Sequence, residues 1–568
     1  MKIPVLQEGL QKKFFRKNFA LLVEKNPFFT FFSFSEKEKP ILTQKGWNLK
    51  KKNRFFYTEK ELDSFAMPEE GTEVLFFYGL GLGYPFFFLE EWLKKSPQKK
   101  LHFIEEDKEV FSAFLQTSWA EKVLRHPQVK ISYVEKTKKL FPFLQELIEN
   151  YAPLHPSLQV ASFYHSKSKE RVIGEVKKEA LLKKAYYLEK IHSHQLFSNL
   201  VKNSSFLNQS SYLNAWEKAF EGVPAIIGGA GPSSVLIQEK LKDSYDRALI
   251  LAGGAATASF SRQEIGFHLA VAIDPNPEEE KLFKQSLKRN IPLIYTLRTC
   301  PEAVALMEGP LIYAKMAYIS EMEKWLQKRR KLFHEAIGKK LSHKALSVTC
   351  FSVAIAQFLG CNPIILAGVD LSYEKTPYAA GVVATQKEET FAFAKKPFLA
   401  KGKKEVFTNL FWKLEEEALS NFAKKYPETL FLDASDSGLI FSAIKHRPFG
   451  QIFEKYLTKT YPIEKKINAL IKEAKIAEKK SDLALIQQSL LRIKKLLKVI
   501  EKNCTSKGEI KGRGVLAEIE LKEEIAYRFL FSDSLYYFSK MLKKEEPKQK
   551  KWQLFQVLVE KHLEALQN

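Results

Sequence analysis

Between residues 224 and 434 the chain repeats one pattern, a short and almost unbroken apolar run followed by a helical stretch. The runs are PAIIGG (224–229), RALILAG (247–253), HLAVAID (268–274), IPLIYT (291–296), PLIYA (310–314), NPIILAGVD (362–370) and ETLFLDA (428–434). Strands covered on both faces lose the in–out alternation of a half-exposed sheet, so such runs belong in a parallel sheet with helices on either side. Helical patterns separate them, notably at 319–337 and 350–359. The expected fold class is α/β, with two Rossmann-like parallel-sheet domains and a helical C-terminal region.

At 568 residues the chain is too long for one ordinary domain. The expected division is 1–150, an N-terminal Rossmann-type domain; 151–220, a helical connector; 221–455, a central α/β domain; and 456–568, a lysine- and glutamate-rich helical domain. No apolar run reaches the roughly 18 residues of a membrane span. The N-terminus lacks the apolar core of a secretion signal. Cys300, Cys350, Cys361 and Cys504 have no metal-type spacing and read as reduced thiols, so the expected location is cytoplasmic and no metal ligand set is expected. The net charge of +24 is mostly lysine interleaved with glutamate, without an arginine cluster. It suits an anionic small substrate, and no nucleic acid is expected as a partner.

Ligands of open α/β sheets sit outside the carboxyl ends of the strands. The first central strand runs into Gly228, Gly229, Gly231, Pro232, Ser233 and Ser234, then a helical pattern from Val235 to Lys242. A glycine turn between strand and helix lets an anion reach backbone N–H groups that a Cβ would screen. The second strand ends in Gly253, Gly254 and AATAS; the third in Asp274, Pro275 and Asn276; the sixth in Gly368, Asp370, Ser372 and Tyr373, with Tyr378 close behind. Each has a purely structural use as well. Asp–Pro starts turns, an aspartate at a strand end caps helices, tyrosines pack, and Ser352 is an ordinary helix-start residue.

The N-terminal domain opens similarly. TEVLFFYGLGLGYP (72–85) carries Gly79, Gly81 and Gly83, and LHFIEED (101–107) ends in acids about 20 residues later, a distance that suits a ribose. The string lacks the sixth-position glycine of a dinucleotide fingerprint. NPFFTFFSF (26–34) reads as a strand pair.

Four stretches in order, GLGLGY, PAIIGGAGPSS, VAIDPNP and SVTCFSVAIAQFLGCNPIILAGVDLSY, resemble the motility-associated factor (Maf) family over roughly residues 10–455. That resemblance implies a cytoplasmic bacterial glycosyltransferase. It would move a nonulosonic acid (pseudaminic or legionaminic) from a CMP donor to Ser/Thr of a protein such as flagellin. The central domain is also similar to bacterial sialyltransferases, in which tyrosine hydroxyls steady the departing CMP phosphate. On that resemblance Asp370, Tyr373 and Tyr378 are the catalytic candidates. Gly229, Gly231, Pro232, Ser233, Ser234, Gly254, Asp274, Ser352 and Gly368 are the nucleotide-binding ones. No cofactor is required beyond the CMP-sugar, and no oligomeric state is implied.

The run KTPYAAGVVATQKEETFAFAKKPF holds no histidine where the sialyltransferases carry their general base. The base is left open among His343, His446 and a carboxylate. Three other readings stand beside the transferase. The central domain also resembles 6-hydroxymethylpterin diphosphokinases, which use ATP and Mg²⁺, and Asp274 with Asp370 would then serve the ion. GLGLGY with Glu105, Glu106 and Asp107 suits a methyltransferase. The missing histidine suits a degenerate binding module.

Overall fold

The computed structural model describes residues 11–25, 41–43, 46–51, 54–56, 67–68, 71–134, 158–162, a few positions between 174 and 189, and 193–373 apart from 287–288, 318 and 342–346. It further describes 398–399, 405–541 apart from 480–482, 547 and 549–567. The strand pair expected at 26–34 lies outside these residues. The chain divides into two compact units, Met1–Lys190 and Ile191–Asn568.

In the first unit, Val129–Tyr133, Lys100–Glu105, Val74–Tyr78 and Leu158–Ser162 lie side by side in one parallel sheet. In chain order that is third, second, first, fourth, the arrangement of a Rossmann-like half. Three short strands, Ile41–Thr43, Gly46–Lys51 and Arg54–Phe56, form a separate antiparallel sheet. The glycine turn needs its glycines for backbone angle: Gly79, Gly81 and Gly83 have φ of 94, 57 and 89°. A Cβ on Gly83 would also lie 2.8 Å from the Phe114 ring.

The acid that follows closes this turn from within. Glu105 is fully buried and accepts from the amides of Leu80 (2.9 Å), Glu106 (3.0 Å) and Asp107 (2.9 Å). Asp107 caps the helix Lys108–Leu115 through the amides of Glu109 and Val110. Leu80 and Leu82 point into the core, and the Trp119 indole donates to the Leu82 carbonyl at 2.7 Å.

Among the described residues the second unit is built on one sheet of nine strands, all parallel, with a separate antiparallel pair, Phe398–Leu399 and Glu405–Val406. Their spatial order is Lys445–His446, Phe431–Asp433, Ile364–Ala367, Ala225–Gly228, Leu249–Gly253, Leu269–Ala272, Leu293–Tyr295, Leu311–Tyr313 and Ser211–Tyr212. All seven expected runs are strands, and the α/β class holds. The two edge strands were not expected, because two residues are too few to show a pattern. Alternate residues serve opposite faces. Ile226, Ile250, Ala252 and Ala270 belong to one core; Ala225, Ile227, Leu249, Leu251 and Val271 belong to the other. The first core is covered by Ser193–Phe206 and by C-terminal helices that bring Trp552, Phe555 and Leu558. The second is covered by Val348–Phe358 and Leu410–Lys424.

The chain enters this sheet at the Ser211–Tyr212 edge and passes to the middle at Ala225–Gly228. It builds outward from there to Leu311–Tyr313, beside the edge strand, crosses back through Val348–Phe358, and lays Ile364–Ala367 on the other side of Ala225–Gly228. The carboxyl ends of those two strands therefore diverge into loops on opposite sides, which is a topological switch point. Among the described residues, no helix is long and apolar enough to cross a membrane.

Glu105→Gln replaces a three-amide acceptor by a group with one acceptor oxygen. It should destabilise the protein by about 1–3 kcal/mol, read as a lower urea midpoint, with the second unit's tryptophan signal least affected.

Candidate functional site

At the switch point two glycine loops touch. Gly229 N donates to Ala367 O and Gly231 N to Gly368 O, both at 2.8 Å. A Cβ on Gly229 would lie 2.2 Å from the Gly368 carbonyl oxygen, and one on Gly368 2.8 Å from Ser234 Cβ. Gly368 itself has φ of 71°. Only glycine meets these demands.

Asp370 clamps the pair. It is 2% exposed. Its carboxylate accepts from Ser233 N at 2.9 Å, from the Ser233 hydroxyl, and from Ser437 Oγ at 3.3 Å. Its carbonyl accepts from Leu439 N at 2.9 Å. A Cβ on Gly231 would sit 2.7 Å from Asp370 Oδ2. One carboxylate thus joins the loops after three strands. Ser233 and Ser234 turn inward and are buried, Ser234 accepting from Gln263 Nε2 at 3.2 Å. What the turn offers to solvent is the half-buried stretch Ala230, Gly231 and Pro232.

The next two strand ends carry a glycine pair and an acid. Gly254, at φ 52°, caps Ala255–Arg262, and Val348 packs where a Gly253 side chain would be. Asp274 is half-buried, and its Oδ1 accepts from Asn276 N (2.9 Å) and Asn276 Nδ2 (2.8 Å). Behind it lies Glu279, which the sequence did not single out. It is 4% exposed, and its Oε1 has no hydrogen-bond partner. Burial, reinforced by the charge of Asp274, pushes its carboxyl up to about 8, against the pull of the Ile273 and Asp274 amides. Glu279 hides in PEEEKLFK, where three acids in a first helical turn read as ordinary partners of the helix dipole.

On the far side of Asp370, Leu371 is held at φ 50°, a costly angle for a bulky side chain, and Thr408 Oγ1 donates to its carbonyl at 2.7 Å. Tyr373 pairs with Phe407 through two backbone bonds of 2.8 Å. Its ring packs on Phe407 and Trp412 at 5.8 and 6.0 Å. Ser352 is buried and donates to Val348 O within its own helix at 2.8 Å. Tyr378 and His343 lie outside the described residues. His446 is on the edge strand beside Asp433, and its Nε2 is 3.5 Å from Asp436 Oδ1. Asp436 directly precedes the Ser437 that bonds Asp370, so this half-exposed pair stands at the same end of the sheet.

Residues 198–376 match the family described as 6-hydroxymethylpterin diphosphokinase MptE-like. The matched segment runs from the helix before the Ser211–Tyr212 edge strand to just past Tyr373. The central domain is similar to MptE-like proteins. Among solved structures, a Maf glycosyltransferase from Magnetospirillum magneticum AMB-1 aligns over 98% of this chain and 96% of that one, at 16% identity and a TM-score of 0.46. A family 9 glycosyl transferase from Veillonella parvula DSM 2008 aligns over 51% of this chain and 98% of that one, at 9% identity and a TM-score of 0.14. No curated protein sequence matches. Both resemblances named from the motifs, to Maf and to MptE-like proteins, recur in these comparisons.

Two outcomes are expected. Gly229→Ala forces the two loops apart and should lower stability by about 1–3 kcal/mol, with weakened ligand binding, as read by calorimetry. For Glu279, the folded value of about 8 lies above the ordinary 4.5. Its contribution is therefore full below pH 4.5 and is lost as pH rises through 8. Glu279→Gln should flatten that part of the Tm–pH profile and melt higher than wild type at pH 8.5.

Proposed function

We propose that the chain is a glycosyltransferase that moves a nonulosonic acid from a CMP donor to a Ser/Thr hydroxyl of a protein acceptor, flagellin among the candidates. The observation that supports this reading is the topological switch point. There the Gly229–Ser234 turn is locked by Asp370, with Ala230, Gly231 and Pro232 as its half-buried outer stretch, within a sequence that holds the Maf motifs in order. Breaking the sugar–phosphate bond leaves growing negative charge on the CMP phosphate, and donors aimed at that oxygen lower the barrier.

In this reading the Ala230 amide and the hydroxyls of Tyr373 and Tyr378 meet the phosphate, while Gly231 N is given to Gly368 O and Pro232 has no N–H. Gly254 and Asp274 border the nucleoside, while Ser352 and Gly368 shape the floor. Asp370 acts through Ser233 and is a positioning residue. The bond from the sugar's anomeric carbon to the phosphate breaks, and the acceptor oxygen bonds that carbon. The acceptor proton passes to a base, and CMP departs as a phosphate monoester. His446, oriented by Asp436, is the base that this geometry favours.

The MptE-like match over 198–376 favours a second reading, an ATP-dependent diphosphokinase in which Mg²⁺ would sit near Asp274. Thermal unfolding separates the two. A ligand at 100 times its Kd raises stability by about 2.7 kcal/mol. A shift with CMP, lost in Tyr378→Phe, supports the transferase; a shift with ATP and Mg²⁺ but not with CMP replaces it by the kinase. For a transferase, His446→Gln should lower kcat by about 10²–10⁴-fold and leave the CMP-induced shift intact.

A further inference from the structure

Glu279 is the third residue of the helix Pro277–Lys284, which follows the strand Leu269–Ala272. It is 4% exposed, and among the described residues no group bonds its Oε1. Its other oxygen, Oε2, lies beside Gly254, at the end of the neighbouring strand Leu249–Gly253. Buried polar side chains are ordinarily met by a hydrogen-bond partner. The missing partner points to a molecule that the chain itself does not supply.

Gly254 leaves a hollow of one atom in front of this carboxyl. A Cβ there would lie 3.7 Å from Val348 Cγ1, 3.8 Å from Leu282 Cδ1 and 3.8 Å from Glu279 Oε2, ordinary contact distances on every side. The two apolar walls are half-buried, and the third wall is the carboxyl oxygen. A base edge is a row of atoms, whereas a hydroxyl is a single one. A hydroxyl oxygen seated in the hollow needs only a small shift toward Oε2 to reach the roughly 2.7 Å of an O–H···O bond. It both donates and accepts, so it satisfies the carboxyl in either protonation state.

We propose that this hollow takes one hydroxyl of the donor's ribose, and that Glu279 tells a ribonucleotide from its deoxy counterpart. The proposal rests on the reading that a nucleotide lies across this end of the sheet with its phosphate at the Gly229–Ser234 turn. That turn follows Ala225–Gly228, the strand beside Leu249–Gly253. Neighbouring strands lie about 4.8 Å apart. One such spacing is the step from a 5′-phosphate across the ribose ring to its hydroxyls. CMP and ATP carry the same ribose, so the assignment is indifferent to which of them the site takes.

Titration calorimetry of the full chain with CMP, 2′-deoxy-CMP and 3′-deoxy-CMP tests this. One deoxy analogue should bind about 10- to 100-fold more weakly than CMP, and the other like CMP. Glu279→Met keeps the length of the side chain without an oxygen, and should erase the difference by weakening CMP. Glu279→Gln keeps one acceptor oxygen and should reduce the difference without erasing it. This milder change carries the test if the Met variant does not fold.

The ratio separates recognition from support. A residue that only shapes the fold would weaken all three ligands alike, and a ratio unchanged in both variants overturns the proposal. So does a wild type that binds the three equally; the hollow then holds water, and the transferase reading stands. A chain that ignores CMP and takes ATP with Mg²⁺ loses the transferase reading, and the same comparison with 2′-deoxy-ATP and 3′-deoxy-ATP decides the proposal. Binding of neither nucleotide overturns both.

Discussion

The second unit depends on a contact between two backbones. Gly229 and Gly368 come so close that neither tolerates a Cβ, and two backbone hydrogen bonds of 2.8 Å join their loops. Asp370 adds a side-chain tie, reaching the Ser233 amide and hydroxyl on one loop and Ser437 on another. A buried carboxylate is tolerable only when its oxygens are met by donors, so the charge and the loop geometry specify each other. With the side chains turned inward, the outer surface of the turn is left to backbone.

The sheet was legible because its strands are long enough and apolar enough to show as runs, and the alternation of Ile226 and Ile227 between two cores explains why they do. The edge strands were not legible. Ser211–Tyr212 and Lys445–His446 are two-residue pairings made by tertiary context, without local pattern. The glycine turns were also visible, but their reason was not. For Gly79, Gly81 and Gly83 the sequence suggested a ligand, whereas the positive φ angles and the inward acid Glu105 account for the same residues internally.

The candidate site was legible by position along the strands and not by orientation. Asp274, Asp370 and the Gly229–Ser234 turn do lie at one end of the sheet. Sequence cannot say whether a carboxylate faces a ligand or a neighbouring loop, since both uses want the same residue at the same strand end. Glu279 shows the reverse error. Its neighbours Glu278 and Glu280 are partly exposed, and one helical step alone sends Glu279 into the protein behind Asp274. His446 was one of the bases that the sequence left open, and the pairing of its strand with Phe431–Asp433 is what puts it at this end of the sheet.

The Ser211–Tyr212 edge also receives the chain that leaves the sheet on its way to the C-terminal helices. Tyr212 N donates to Ala474 O at 2.8 Å, and Ile476 N donates to Ser210 O at 3.0 Å. An open strand edge is a template for joining any other extended chain. The segment around Ala474 fills that template with the protein's own backbone, running antiparallel where every other neighbour is parallel. The C-terminal portion is therefore a seal on the sheet as well as a cover for its face. A chain lacking it would present two-residue stubs of unpaired amide and carbonyl to solvent, beside a core stripped of Trp552 and Phe555.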